Sequence, residues 1–159
     1  MGYQWNENFY NKIVNDVKEV VINYCVKLIY ETMQDMVYST VYNTYTPTQY
    51  KRRYSKGGGL GDIGTYDFEI SSLNKNGFTL RVFSNAEGNS NAPNPNLAGK
   101  SIDECIVEGT GYSWKTSNIY KNQAYTRDFY KATLDSLIDS GILYNILKTK
   151  LKDKGINVK

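Results

Sequence analysis

The chain has 159 residues, 40% hydrophobic and 22% charged, with a formal net charge of +3; this suits one globular domain, or at most two small ones, able to bury its own core. It contains no His, which excludes Ser–His and Cys–His nucleophile pairs, His metal ligands and the usual general base near neutral pH. Tyr appears 15 times against 5 Phe and 2 Trp, and the 15 Lys, 4 Arg and 17 Asn beside it point to AT-rich codons, so codon usage and function both bear on the Tyr excess.

The first residues, Met1–Asn8, are polar and hold no apolar stretch of the kind a secretory signal needs, so none is expected. No apolar run approaches membrane-spanning length. Residues 8–43 read as one long helix. Tyr10, Val14, Val17, Val21, Tyr24 and Leu28 recur at i, i+3/i+4 spacing and form the expected buried stripe, widened by Ile13, Val20, Met33, Met36 and Val37. The β-branched triplet Val20-Val21-Ile22 is the weak point, because such residues lose χ1 freedom in a helix. Pro47 is the expected terminator.

Residues 46–64 read as a basic, Gly-rich loop. Residues 49–64 carry Lys51, Arg52, Arg53 and Lys56 against Asp62, a local charge of +3, and a second island of +3 lies in 126–159. Five of the loop's last eight residues are Gly, so its backbone is expected to visit positive φ or to pass close to a neighbour. A β-hairpin follows. Tyr66, Phe68 and Ile70 alternate with polar residues over 65–72, as do Phe78, Leu80 and Val82 over 78–84, with Asn76-Gly77 as the turn. Residues 85–100 are polar and rich in Asn and Pro, a long surface loop able to order on a partner.

Residues 101–108 form a short predicted helix with Ser101 and Glu104 at capping-box spacing. Residues 109–125 fit either a third strand or a packed loop. A C-terminal helical region over 128–153 starts at Asp128 as N-cap, with Tyr130, Leu134, Leu137 and Ile138 inward. Ser140-Gly141 interrupts it, and Leu143, Ile146, Leu147 and Leu151 continue it. Cys25 falls among the helix's apolar residues and should pack as a small hydrophobe, and a reduced pair with Cys105 is expected, since no C-x-x-C occurs.

Few motifs carry chemistry. Gly59-Leu60-Gly61-Asp62-Ile63-Gly64 matches G-x-G-x-x-G, but a basic loop precedes it and a strand follows, where a dinucleotide site needs a strand and then a helix N-terminus. Ala98-Gly99-Lys100-Ser101 lacks the first Gly of a phosphate loop, since position 94 is Asn. Asp103, Glu104 and Glu108 are the one local carboxylate cluster and match no cation-binding pattern. The sequence therefore offers no catalytic residue, no cofactor and no metal site, and a non-enzymatic role is expected. The pointed feature is Tyr50-Lys51-Arg52-Arg53-Tyr54. Basic residues interleaved with aromatics suit a protein–protein interface, a nucleic-acid backbone with stacked bases, or a solvated loop with local ion pairs.

Two blocks carry a resemblance to a known family. The first is Tyr42-Asn43-Thr44-Tyr45-Thr46-Pro47-Thr48-Gln49-Tyr50-Lys51-Arg52-Arg53, followed by Gly58-Gly59-Leu60-Gly61-Asp62. The second is Val107-Glu108-Gly109-Thr110-Gly111-Tyr112-Ser113-Trp114, then Ile119-Tyr120 and Arg127-Asp128-Phe129, running into a helix that closes with Gly155-Ile156. Together these resemble the head–tail joining (neck, tail-completion) proteins of tailed bacteriophages. The blocks cover about half the chain; Thr126 stands where that family often has Pro, and Ile63 where it often has Asn.

The resemblance implies an α+β fold, with a long N-terminal helix and a C-terminal helix packed on a small, mainly antiparallel sheet, as one domain over 1–159. It implies a virion structural protein, assembled in the host bacterial cytoplasm, that forms a ring of its own copies between connector or head-closure and tail proteins, with passing contact with DNA and no membrane. Tyr50, Arg52, Arg53, Tyr54, Leu60, Asp62, Trp114 and Arg127 are the candidate interface residues. A tail terminator or another virion surface protein is the alternative within that class, and a small basic nucleic-acid-binding protein the alternative outside it.

Overall fold

The structure is a computed structural model that describes residues 7–44, 46, 53, 57–87, 101–109 and 126–158. The predicted terminator Pro47, the body of the 85–100 loop and the 110–125 segment lie outside the described residues. The fold is α+β, with a long N-terminal helix, a two-stranded antiparallel sheet and a C-terminal helical region, as the sequence predicts.

The helix predicted over 8–43 is observed from Glu7 to Tyr42, but it is not α-helical throughout. It runs as α1 (Glu7–Val20), a π-turn (Val21–Cys25), α2 (Val26–Val37) and a second π-turn (Tyr38–Tyr42). In the first π-turn the Val26 N–H donates to Val21 O, and in the second Asn43 N–H donates to Tyr38 O at 2.9 Å, both five residues back. The first coincides with the crowded β-branched triplet. At the second, the Ser39 and Thr40 hydroxyls compete for Met36 O, Thr40 at 2.6 Å, which loosens a helical ladder locally.

The π-turn corrects the expected stripe. The i→i+5 turn widens the helical turn and brings positions 20 and 25, and 21 and 26, closer to one face; Val20, Val21, Cys25 and Val26 are buried, while Tyr24, at 46% exposure, falls off the face. Tyr10, at 41%, is also exposed rather than inward. Met33, Val37 and Val41 continue the buried row at four-residue spacing. Cys25 is buried as expected, and both cysteines are thiols rather than a disulfide.

The hairpin consists of β1 (Tyr66–Asn74) and β2 (Gly77–Ser84). The alternation holds over most of the hairpin: Phe68, Ile70, Phe78, Leu80 and Val82 are half-buried and Asp67, Glu69, Thr79 and Arg81 exposed, but Gly77 and Phe83, at the ends of β2, are half-buried as well. The turn lies one residue earlier than Asn76-Gly77. Lys75 and Asn76 form it, and the Asn76 N–H donates to the Asn74 side chain at 2.8 Å. Ser72 has a φ of 56°, which ends the in–out pattern and leaves Leu73 exposed.

Short helix α3 (Ile102–Glu108) begins at Ser101 and ends at Gly109 in the left-handed conformation. The expected capping box does not form, because the Ser101 hydroxyl donates to the Asp103 carboxylate instead. Helix α4 (Phe129–Ser140) does use its predicted cap: Lys131 N–H donates to Asp128 Oδ1 at 2.8 Å. Its buried face is Phe129, Thr133 and Leu137, while Leu134 and Ile138 are 57% and 65% exposed, a correction to the expected stripe. Thr133 can occupy a buried position because its hydroxyl bonds Phe129 O at 2.7 Å. Gly141, in the left-handed conformation, separates α4 from α5 (Ile142–Asp153) as predicted.

The described residues gather into two compact units. One takes its members from 7–29, 68–82 and 137–158. In it α5 packs against α1 and the first π-turn, with Leu151 buried. Lys154 reaches Glu19 at 3.0 Å and Asp16 at 3.7 Å, and Lys150 lies 4.8 Å from the Tyr24 ring. Helix α5 ends in a Schellman motif: Gly155, at φ 79°, donates to Lys152 O, and Ile156 donates to Leu151 O. The other unit takes its members from 30–67 and 83–136 and holds the candidate site.

Candidate functional site

The second unit is organised around the glycine run at 57–65. Gly57 and Gly58 adopt φ of 70° and 73°, so the expected positive φ occurs there. Asp62 ties the turn together. Its carboxylate accepts from Gly58 N–H and Gly64 N–H, both at 3.0 Å, while its own N–H donates to Gly59 O at 2.9 Å. Thr65 returns two bonds to Asp62 O, from its N–H at 2.9 Å and its hydroxyl at 2.8 Å. A short 3₁₀ turn, Ile63–Thr65, then leads into β1, so no α-helix N-terminus follows the G-x-G-x-x-G letters.

The run is docked on tyrosines. Gln34 on α2 donates to Gly61 O at 2.6 Å, and Gly61 N–H donates to the Tyr42 hydroxyl at 2.9 Å. The Tyr66 hydroxyl donates to Leu60 O at 2.8 Å. Tyr38 and Tyr42 meet edge to face with centroids 5.1 Å apart, and Tyr30 meets Tyr66 likewise at 5.7 Å. A Cβ on Gly61 would stand 3.0 Å from Tyr42 Cε2 and 3.3 Å from Tyr38 Cε2, so this position is a close approach of backbone to ring. Burial, with smaller contributions from Tyr42, Tyr38 and Asp62, pushes the Tyr66 hydroxyl far above its ordinary pKa; it is a fixed donor and no base.

A second network closes the unit from α3 and α4. Ser84 N–H donates to the Tyr130 hydroxyl at 2.9 Å, and that hydroxyl donates to the buried Asp103 at 2.5 Å. Burial first, and then the bond to Asp103, hold Tyr130 protonated well beyond its usual range. Glu87 pairs with Ser101 as an isolated antiparallel bridge, and Ile102 N–H donates to Ala86 O at 3.0 Å.

The candidate interface residues divide accordingly. Arg53, Leu60 and Asp62 come together at the glycine turn. Leu60 is buried at 3% exposure, and Arg53 donates to Gly57 O at 3.2 Å and to Glu87 O. Arg127 is elsewhere in the unit, buried just before α4, with its N–H donating to Ile106 O at 3.0 Å. Tyr50, Arg52, Tyr54 and Trp114 lie outside the described residues. Gln34, Tyr38, Tyr66 and Glu87 complete the site; Gln34 and Glu87 carried no signal in the sequence, because their contacts are 27 and 34 residues away, while Tyr66 was read only as a strand residue.

What this arrangement offers chemically is a shaped backbone surface. The Tyr42 and Tyr66 hydroxyls are spent on backbone groups, the Tyr130 hydroxyl on Ser84 N–H and the Asp103 carboxylate, and the Asp62 and Asp103 carboxylates on N–H and O–H donors. Among the described residues no group of three or more Cys, Asp or Glu could hold a metal ion, and no helix is long and apolar enough to cross a membrane. No curated protein and no solved structure matches the chain. A family model does match, over residues 6–153, and its family is phage-derived. The chain belongs to the YomN family.

Proposed function

We propose that this protein is a structural component of a tailed-phage virion, forming a ring at the head–tail junction that joins the connector to the tail. The observation that carries the reading is the joint occurrence, in a chain of a phage-derived family, of the two sequence blocks that resemble neck and tail-completion proteins. Further support comes from how the first block folds: its Gly58–Asp62 run is a built element, held by Gln34, Tyr42 and Tyr66, of the kind that presents a fixed backbone shape to a partner.

In this role copies pack head to tail through unlike surfaces, and the ring closes where the rotation allows. Its other partners are connector or head-closure proteins on one side and tail proteins on the other, with DNA passing through the lumen. Tyr50, Arg52, Tyr54 and Trp114 act as contact anchors, while Leu60, Asp62 and Arg127 shape the scaffold. The role is non-enzymatic, and the protein is carried in the virion after assembly in the bacterial cytoplasm.

The test is quantitative mass spectrometry of purified virions together with electron microscopy of phage lacking the gene. The expected result is a copy number typical of one ring, and mutant lysates that contain filled heads and separate, unjoined tails. Absence of the protein from purified virions would overturn the proposal.

A further inference from the structure

The tip of the β1–β2 hairpin holds a reactive pair that the fold leaves uncovered. Of the 17 asparagines in the chain, Asn76 alone precedes a glycine. Gly77 opens β2 at a φ of 142°, a conformation that a residue with a Cβ rarely adopts, so the turn itself requires glycine there. A Cβ built on Gly77 would meet nothing within 4 Å, so the peptide joining Asn76 to Gly77 is open on that side. Residues 71–76 are all exposed. The Asn76 carboxamide has no hydrogen-bond partner among the described residues; the bond from this residue to Asn74 Oδ1, at 2.8 Å, uses its backbone N–H.

Neighbouring asparagines are built differently. Asn74 Nδ2 donates to Ser72 O at 2.9 Å, its Oδ1 accepts from Asn76 N–H, and Lys75 follows it. Asn11, Asn15, Asn23 and Asn145 lie within helices, where the next N–H is committed to the helical ladder. An exposed, unheld carboxamide followed by an unhindered backbone nitrogen occurs together only at the hairpin tip among the described residues.

We propose that Asn76 is a site of self-catalysed modification, at which the Gly77 backbone nitrogen attacks the Asn76 side chain and converts the hairpin tip to an isoaspartyl or aspartyl linkage. The Gly77 nitrogen bonds to Asn76 Cγ, the Cγ–Nδ2 bond breaks, and the amide departs as ammonia, taking the proton that the attacking nitrogen gives up. Water then opens the five-membered imide at either carbonyl. Opening at the main-chain carbonyl leaves the chain running through Cβ and Cγ as isoaspartate; opening at Cγ leaves ordinary aspartate. Water is the one co-reactant, nothing is oxidised or reduced, and either product adds one negative charge. The step is intramolecular between adjacent residues, and the missing Cβ at 77 leaves the nitrogen a clear approach. Isoaspartate also adds one carbon to the main chain in the turn that sets the register of β1 against β2, so the modification acts on the sheet as well as on the charge. It is independent of the head–tail role.

The experiment is timed incubation of the folded, full-length protein and of Asn76→Gln at neutral and at mildly alkaline pH. Peptide mapping by mass spectrometry follows the Asn, Asp and isoAsp forms of each peptide, and an isoaspartyl-directed carboxyl methyltransferase with labelled S-adenosylmethionine counts the isoaspartate. The peptide holding Asn76 should convert faster than every other asparagine-containing peptide, by roughly tenfold or more. Its products should include isoaspartate, and conversion should quicken with pH because the attacking nitrogen must lose its proton. Asn76→Gln, whose side chain is one carbon longer and would have to close a six-membered ring, should lose the methyl label. Conversion of Asn76 below that tenfold margin, aspartate as the sole product, a rate that does not rise with pH, or undiminished labelling of Asn76→Gln would each rule the site out.

Discussion

Gly61→Ala is the sharpest perturbation the structure offers. The added methyl would sit 3.0 Å from Tyr42 Cε2, 3.3 Å from Tyr38 Cε2 and 3.4 Å from the Tyr42 hydroxyl oxygen. Carbon–carbon contacts are comfortable near 3.5–4.0 Å, so a ring or the loop must give by a few tenths of an ångström. Neither moves without loss. The Tyr42 ring is fixed by the Gly61 N–H at its hydroxyl and by the edge of Tyr38 at 5.1 Å, and the loop is fixed by Gln34 on Gly61 O at 2.6 Å. Overpacking of this kind costs about 1–3 kcal/mol. At roughly 2–4 °C per kcal/mol for a chain of this size, the melting temperature should fall by about 2–12 °C. The assay is chemical and thermal denaturation of Gly61→Ala, Tyr42→Ala and the double variant. Because Tyr42→Ala removes the clashing ring, the double variant should be more stable than the sum of the two losses by at least about 0.5 kcal/mol. A Gly61→Ala protein within about 0.5 kcal/mol of wild type, or strict additivity, would refute the close-approach argument.

Phe129→Ala should cost about 3–5 kcal/mol in the same denaturation assay, since Phe129 is the largest side chain fully removed from solvent among the described residues. Stability should fall at alkaline pH for a definite reason. Tyr66 and Tyr130 have folded pKa values raised above the ordinary 10.0, so the fold keeps protons that the unfolded chain loses. Their contribution is complete below about pH 10 and is lost as pH rises from there toward the folded values, at about 1.4 kcal/mol per pH unit for each. Tyr130→Phe should flatten the pH 10–11 stability curve by about one proton, and an unchanged slope would count against the buried phenol. In a Tyr→Phe series, Tyr42, Tyr66 and Tyr130 should each lose about 1–3 kcal/mol, while Tyr10 and Tyr24 should change by less than about 0.5 kcal/mol.

The periodic elements were legible because local pattern decides them. The hairpin alternation, the Asp128 cap and the Gly141 break are each read from a few neighbouring residues. The buried faces were less legible, for two reasons. A π-turn at Val21–Cys25 adds one residue to the helical count and rotates Tyr24 out of the stripe that 3.6-residue spacing predicts. On α4, ranking by apolarity favours Leu134 and Ile138, but Thr133 is the buried residue, because a bond to Phe129 O removes the cost of hiding its hydroxyl. The site was half legible. The glycines announce a special backbone at 57–64, yet its partners Gln34 and Tyr42 stand 27 and 19 residues away, beyond any local pattern.

The tyrosine excess can now be apportioned by physics rather than composition. Tyr42, Tyr66 and Tyr130 each pack a ring inside the fold and spend the hydroxyl on a backbone group: Gly61 N–H, Leu60 O and Ser84 N–H. Phe would fill the same space and leave that group without its bond, a loss of about 1–3 kcal/mol where the group is buried. Codon usage can make Tyr common, but it does not select positions where only a phenol satisfies both the apolar and the polar requirement. Tyr10 and Tyr24 differ. Both rings are more than two-fifths exposed, and the Lys150 contact to Tyr24 needs only the ring face. At those two positions Phe would serve as well, and an AT-rich codon preference is a sufficient account. The residues that organise the glycine run are therefore the ones whose hydroxyls selection has reason to keep, which ties the composition of this chain to the loop it builds.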